Sequence, residues 1–176
     1  MVNIYGGGAQ TNKNGLLFEQ ETRLDDALIK AGYFVKKSDK IPEINEIWLK
    51  NIFLGYSTPK RKIYKFLESK GVDYKNINSK AWEPDETFIN ETNRTVYIIE
   101  KKFQNCAGSV DEKLPSCDFK KKEYEKLFHD LEYSVEFIYV FNDWFKQDVY
   151  SDTLEYIKKV NCIVSFNEIP LNILGL

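Results

Sequence analysis

Residues 82–104 read WEPDETFINETNRTVYIIEKKFQ, and the pattern of this stretch decides the fold. A first run around Asp85–Ile89, a polar turn at Asn90–Arg94 and a β-branched and aromatic run from Thr95 to Gln104 predict a β-hairpin. Strand side chains alternate, so Val96, Ile98, Glu100, Lys102 and Gln104 share one face, while Tyr97, Ile99, Lys101 and Phe103 share the other. Three polar groups therefore crowd one side at the end of an apolar strand. Burying such ions is costly unless they are paired or liganded, so the arrangement points to a site.

If the two runs pair, Asp85 comes to lie beside Glu100 although fourteen residues separate them. Two carboxylates converging on one point suit Mg²⁺, which takes one or two protein carboxylates together with water and a phosphate. Lys101 turns its side chain away but can offer its backbone carbonyl as a further ligand. Lys102 sits next to the same point, where an ammonium can orient a water or offset charge developing on a phosphoryl group. Gln104, on the same face, can orient the substrate or a neighbouring carboxylate.

Working outward, 176 residues with 43% apolar and 30% charged content describe one ordinary globular domain. No apolar run approaches the length of a membrane span and no leader is evident, which places the chain in the cytosol. Three cysteines without CxxC spacing argue against a disulfide framework or a zinc site. The single histidine, His129, falls in an amphipathic helix, leaving carboxylates and lysines as the available catalytic groups.

Residues 1–15, with glycines at 6–8, read as an irregular arm. Asn12, Lys13 and Asn14 suit phosphate or base-edge contacts there; a disordered tail is the alternative. Leu16–Tyr33 reads as the first helix, and its wheel on Leu17, Leu24 and Leu28 brings Glu21 nearer the apolar stripe than Glu19. Pro42–Phe53 reads as a second helix that ends at Gly55, and Ser57-Thr58-Pro59 as the cap of a third, so residues 42–71 form a helical insert. After the hairpin, Ser109 and Glu112 have capping-box spacing. A basic helix then carries Lys120, Lys121, Lys122 and Lys126, either as a DNA contact or as a solvated face. Val135–Phe141 reads as a buried strand, Asp152–Val160 as a helix and Cys162–Phe166 as a last strand. The class is α/β (α+β), a mixed β-sheet flanked by helices.

Pro84-Asp85 followed by Glu100-Lys101-Lys102 resembles the motif of the PD-(D/E)XK nuclease superfamily. Gly15-Leu16-Leu17-Phe18-Glu19 is similar to the G-x-x-F-E opening of the first core helix in those enzymes, a resemblance that favours Glu19 as the helix carboxylate. The run from Gly108 and Ser109 through Lys113 to Lys120-Lys121-Lys122 looks like the segment that follows the ExK strand in small type II restriction endonucleases. The resemblance implies a single restriction-endonuclease-like domain that hydrolyses double-stranded DNA at a short specific sequence with Mg²⁺, for which Mn²⁺ substitutes. Asp85, Glu100, Lys102, Glu19 and Gln104 would be catalytic, with Asp85, Glu100 and the Lys101 carbonyl on the metal. Ser109, Lys113, Lys120 and Lys121 would meet DNA. It also implies a homodimer and a cognate DNA methyltransferase. Two other readings remain: a structure- or end-specific repair nuclease with the same site, and a binding module whose hairpin charges are surface ion pairs.

Overall fold

In the computed structural model, which describes residues 7–106 and 110–176 and side chains from residue 13 onward apart from Asp111, seven strands form one sheet in chain order. They are β1 (Phe34–Lys37), β2 (Asn45–Leu49), β3 (Ile52–Pro59), β4 (Glu86–Asn90), β5 (Thr95–Lys102), β6 (Ser134–Phe141) and β7 (Ile163–Phe166). Strands β1 to β5 are antiparallel to their neighbours, whereas β6 and β7 join in parallel, giving the mixed sheet that the sequence predicts. Helices α1 (Gly7–Glu21) and α2 (Leu24–Lys30) precede the sheet, and α3 (Ile63–Ser69) and α4 (Tyr74–Ile77) separate β3 from β4. The parallel strands need crossovers, supplied by α5 (Cys117–Phe128) and α6 (Ser151–Lys159). Among the described residues no helix is long and apolar enough to cross a membrane.

The alternation along β5 divides the interior in two. Val96 and Ile98 join Phe66, Phe128, Phe137 and Tyr139 in one cluster, while Tyr97 and Ile99 join Phe18, Leu28, Phe88 and Leu174 in the other. Both faces of β5 and β6 are buried, which accounts for the unbroken apolar run VEFIYVF in β6.

Several expectations fail. The helix expected over 42–53 is the β2–β3 hairpin, so only the later part of the 42–71 insert, from a 3-10 turn at Lys60–Lys62 into α3, is helical. Ile44, Ile47 and Trp48 fit helical spacing, but Lys50 and Asn51 both have positive φ (46° and 67°), the two-residue turn that joins twisted antiparallel strands. Ser57, Thr58 and Pro59 accordingly end β3 and do not cap a helix. The irregular arm at 1–15 is helical from Gly7, and residues 1–6 lie outside the described region. The helix expected over 16–33 breaks between Glu21 and Leu24.

Gly55, expected as a helix terminator, lies inside β3 at φ +154° opposite Asn90, where an added Cβ would stand 1.9 Å from the Ile89 carbonyl oxygen. Strand β4 can approach so closely only because no side chain intervenes. Gly55→Ala should therefore cost about 1–3 kcal/mol through overpacking. The midpoint of urea unfolding reads this directly, and an unchanged midpoint would refute the account.

Candidate active site

Strand β5 brings the polar residues of its C-terminal end to one place. Glu86 pairs with Ile99, so Asp85, one residue before β4, stands at the Glu100 level of the neighbouring strand. Its Oδ2 accepts the Lys101 N–H at 2.7 Å, and its own carbonyl accepts the Lys60 N–H at 3.1 Å. Glu100 is only 4% exposed, yet both its oxygens are held by ammonium groups: Lys102 Nζ at 2.6 Å from Oε2 and Lys120 Nζ at 2.9 Å from Oε1. Lys102 Nζ also lies 3.8 Å from Asp85 Oδ2. Asp85, Glu100 and Lys102 thus meet as the hairpin reading expects.

The electrostatics follow from this geometry. Burial pushes the Glu100 carboxyl up, but the Lys102 and Lys120 ammoniums together outweigh it and hold the group below its ordinary 4.5. Burial pulls Lys102 down, but Glu100 and then Asp85 outweigh it and raise the ammonium above 10.5. A carboxyl depressed in the fold stabilises it above the unfolded value, and that contribution is lost as pH falls through the folded one. A raised ammonium stabilises below the unfolded value and is lost as pH rises through the folded one. The pairs should contribute fully between about pH 5 and 10. Urea unfolding followed from pH 7 to pH 3 should show an acid loss of stability that is smaller in Glu100→Gln; equal slopes in the two proteins would contradict this.

Lys101 serves the other face. Its ammonium lies 2.6 Å from Glu86 Oε2 and donates to the Glu19 carbonyl oxygen at 3.1 Å, while Glu86 also accepts the Leu24 N–H at 3.0 Å. A strand residue directs its N–H and C=O to the same neighbour, so the bond from Lys101 N–H to Asp85 turns the Lys101 carbonyl toward the Asp85 side.

Glu19 lines a cleft of about 380 Å³ together with Asp25, Ser57, Lys60, Asp85 and Glu86. Glu21 instead faces a separate depression beside Asn167 and Pro170. The helical wheel chose Glu21 because it assumed one continuous stripe; Leu17 is half exposed, and Phe18 and Thr22 are the buried positions up to the break, with Leu24 and Leu28 buried on the separate helix α2.

The remaining expected residues scatter. Gln104 is 2% exposed, and neither amide atom has a hydrogen-bond partner; Asn142 brackets its backbone N–H and carbonyl at 3.1 and 2.8 Å. Lys13 and Lys113 are exposed, and Asn14 lies part-buried in α1. Ser109 and the side chain of Asn12 lie outside the described residues. Two of the expected DNA contacts are engaged within the protein. Lys121 is buried with its ammonium on Glu136 and on the Asn161 carbonyl, 3.1 and 2.8 Å away, tying α5 to the parallel strands. Lys120 points inward to Glu100. Helical rotation separates these adjacent residues by about 100°, which the shared basic character of the run conceals.

One further buried residue bears on the site. Tyr124, one turn beyond Lys120 on α5, is buried with an unpartnered hydroxyl that feels the charges of Glu100 and Asp85; burial pushes its pKa far up. The i, i+4 spacing from Lys120 was the available signal.

Among the described residues no three acidic, histidine or cysteine side chains form a metal cage, so a divalent ion here would rest on two carboxylates, backbone and water. Asp85, Glu100 and the Lys101 carbonyl are hard oxygen donors, a set that fits Mg²⁺.

Comparison with known proteins bears on the chain as a whole. No curated protein matches it. Among solved structures, SfsA of Pyrococcus furiosus in complex with Ca²⁺ aligns over 76% of this chain and 86% of that one, with 10% identity and a TM-score of 0.29, a likeness too slight to build on. The model of the PD-(D/E)XK nuclease superfamily domain, in contrast, matches residues 10–128, a span that takes in α1, the hairpin and α5. Together with the mixed sheet and its flanking helices, that match makes this chain a member of the PD-(D/E)XK nuclease superfamily.

Proposed function

We propose that the protein is a Mg²⁺-dependent type II restriction endonuclease that cleaves double-stranded DNA at a short specific sequence. The observation that carries this reading is the convergence of Asp85, Glu100 and Lys102 where β4 and β5 pair. Membership of the superfamily supports the coarser activity, nuclease chemistry of a kind that typically uses divalent ions.

Asp85, Glu100 and the Lys101 carbonyl would hold the ion. When bound, it supplies the positive charge that acidifies a water and polarises a phosphoryl oxygen. Lys102, charged at neutral pH in the metal-free site, donates hydrogen bonds and so orients the attacking water without itself removing the proton. Glu19 adds a carboxylate on the cleft side of Asp85. Gln104 supplies a buried amide on the Glu100 face. Exposed Lys13 and Lys113, with Arg61 and Lys62 beyond β3, offer phosphate contacts. Cutting both strands of a palindromic site calls for a two-fold dimer, and such a system carries a cognate DNA methyltransferase that protects the host.

The test is incubation of the protein with long duplex DNA in Mg²⁺ and in EDTA, with sequencing of the ends. Discrete Mg²⁺-dependent fragments establish the activity and its site together. A smear from random sequence moves the reading to an end- or structure-specific nuclease, and no cleavage refutes it.

A further inference from the structure

Glu100 presents two oxygens, and each is occupied by an ammonium, one from its own strand and one from helix α5. Asp85 and Glu100 carry two negative charges, and Lys102 and Lys120 two positive ones, so the metal-free cluster is balanced. A divalent ion ligated by Glu100 adds two charges and competes for an oxygen that already has a partner. The added charge is relieved if one lysine withdraws.

The two lysines are not equivalent. Lys102 lies between both carboxylates, 2.6 Å from Glu100 and 3.8 Å from Asp85, on a strand paired along both sides. Among the described residues Lys120 touches Glu100 alone of the acidic groups, and it arrives from a helix on a long flexible stem. Its Nζ lies 5.8 Å from the centre of the Trp82 ring, over which Lys80 already sits at 4.0 Å.

We propose that Lys120 is the resident counter-cation of the metal-free site: it holds Glu100 in place before the metal binds, gives up Oε1 when the metal enters, and then turns its ammonium to the substrate phosphate. This rests on the metal-dependent reading of the same site. Lys120 is thus a positioning residue for Glu100 in one state and a phosphate contact in the other. It also makes metal entry weak without DNA, because only the phosphate offsets the positive charge that the metal adds and that the released ammonium still carries.

The experiment compares the full chain with Lys120→Met, which keeps the stem and removes the charge, and Lys120→Arg, which keeps the charge. Mn²⁺ binding measured calorimetrically without DNA should tighten about tenfold in Lys120→Met. Single-turnover cleavage by the same variant should fall about tenfold or more, and Lys120→Arg should stay near wild type in both. On the unaltered chain, the side-chain ¹⁵N resonance assigned to Lys120 should lose its protection on adding Mg²⁺ while those of Lys101, Lys102 and Lys121 keep theirs, so the test stands even if Lys120→Met fails to fold. Unchanged Mn²⁺ affinity in a folded Lys120→Met, or a Lys120 ammonium that stays protected with Mg²⁺, overturns the proposal while leaving the metal site intact. If the wild-type chain binds no Mn²⁺ at all, the metal-dependent reading fails, and this inference with it.

Discussion

Asp85→Asn should lower Mg²⁺-dependent cleavage about a thousandfold or more while leaving the melting temperature within a few degrees of wild type. The reason for the separation is geometric. The Asp85 Oδ2 accepts the Lys101 N–H at 2.7 Å, and an asparagine oxygen can accept that bond equally well. What asparagine lacks is the negative charge that a hard cation requires beside Glu100. Metal-based charge stabilisation supplies several kcal/mol of barrier reduction, and about 4 kcal/mol corresponds to a factor of roughly a thousand. Single-turnover cleavage on a gel measures the rate, and calorimetry the stability. Lys102→Met should match the loss in rate but keep DNA binding, since its partner carboxylates still face the metal. Retained cutting by either variant removes the assignment of these residues.

The second large effect concerns stability. Lys101→Met should destabilise the fold by about 3–5 kcal/mol, the cost of leaving a buried partner charge uncompensated. The Lys101 side chain is 2% exposed and that of Glu86 13%, with the ammonium 2.6 Å from the carboxylate. Burial already raises the Glu86 carboxyl above its ordinary 4.5 even though Lys101 and the Leu24 N–H lower it. A carboxyl raised in the fold favours the native state below the unfolded value and loses that contribution as pH rises through the folded one. With the ammonium gone Glu86 rises further, so the deficit of Lys101→Met should grow between about pH 4 and 7 and shrink in acid. The double variant Lys101→Met/Glu86→Gln should recover part of the loss, because neither charge is then left alone. Denaturant unfolding of the three proteins at two pH values decides it. A deficit independent of pH, or no recovery in the double variant, would show that the pair matters only as packing. Lys101 would then serve the site through its backbone and the fold through its side chain, a division that its place between Glu100 and Lys102 makes natural.

How much of this was legible beforehand differs by region. The β4–β5 hairpin, β6 and β7 were legible because their signals are local: period-two alternation, a polar turn and continuous apolar runs. The meeting of Asp85, Glu100 and Lys102 followed from the same alternation once the strands were paired. The β2–β3 hairpin was not legible, because Ile44, Ile47 and Trp48 satisfy helical and strand spacing alike and the deciding feature was a Lys50-Asn51 turn of unremarkable composition. The choice between Glu19 and Glu21 was open for a related reason, since the break after Glu21 removes the continuous wheel that favoured the second.

By itself the sequence determined the elements of the sheet's second half and which residues of β5 share a face, since strand periodicity depends only on neighbours along the chain. Only the tertiary structure decided that Glu100 carries two ammoniums, that Lys120 turns inward while Lys121 anchors the far side of α5, and that Lys101 pairs with Glu86 across the sheet. Apart from Lys102 on Glu100, those contacts join residues 15–20 positions apart through packing of whole elements. A charge finds its partner by the rotation and placement of its helix, neither of which is written in the spacing of the charges themselves.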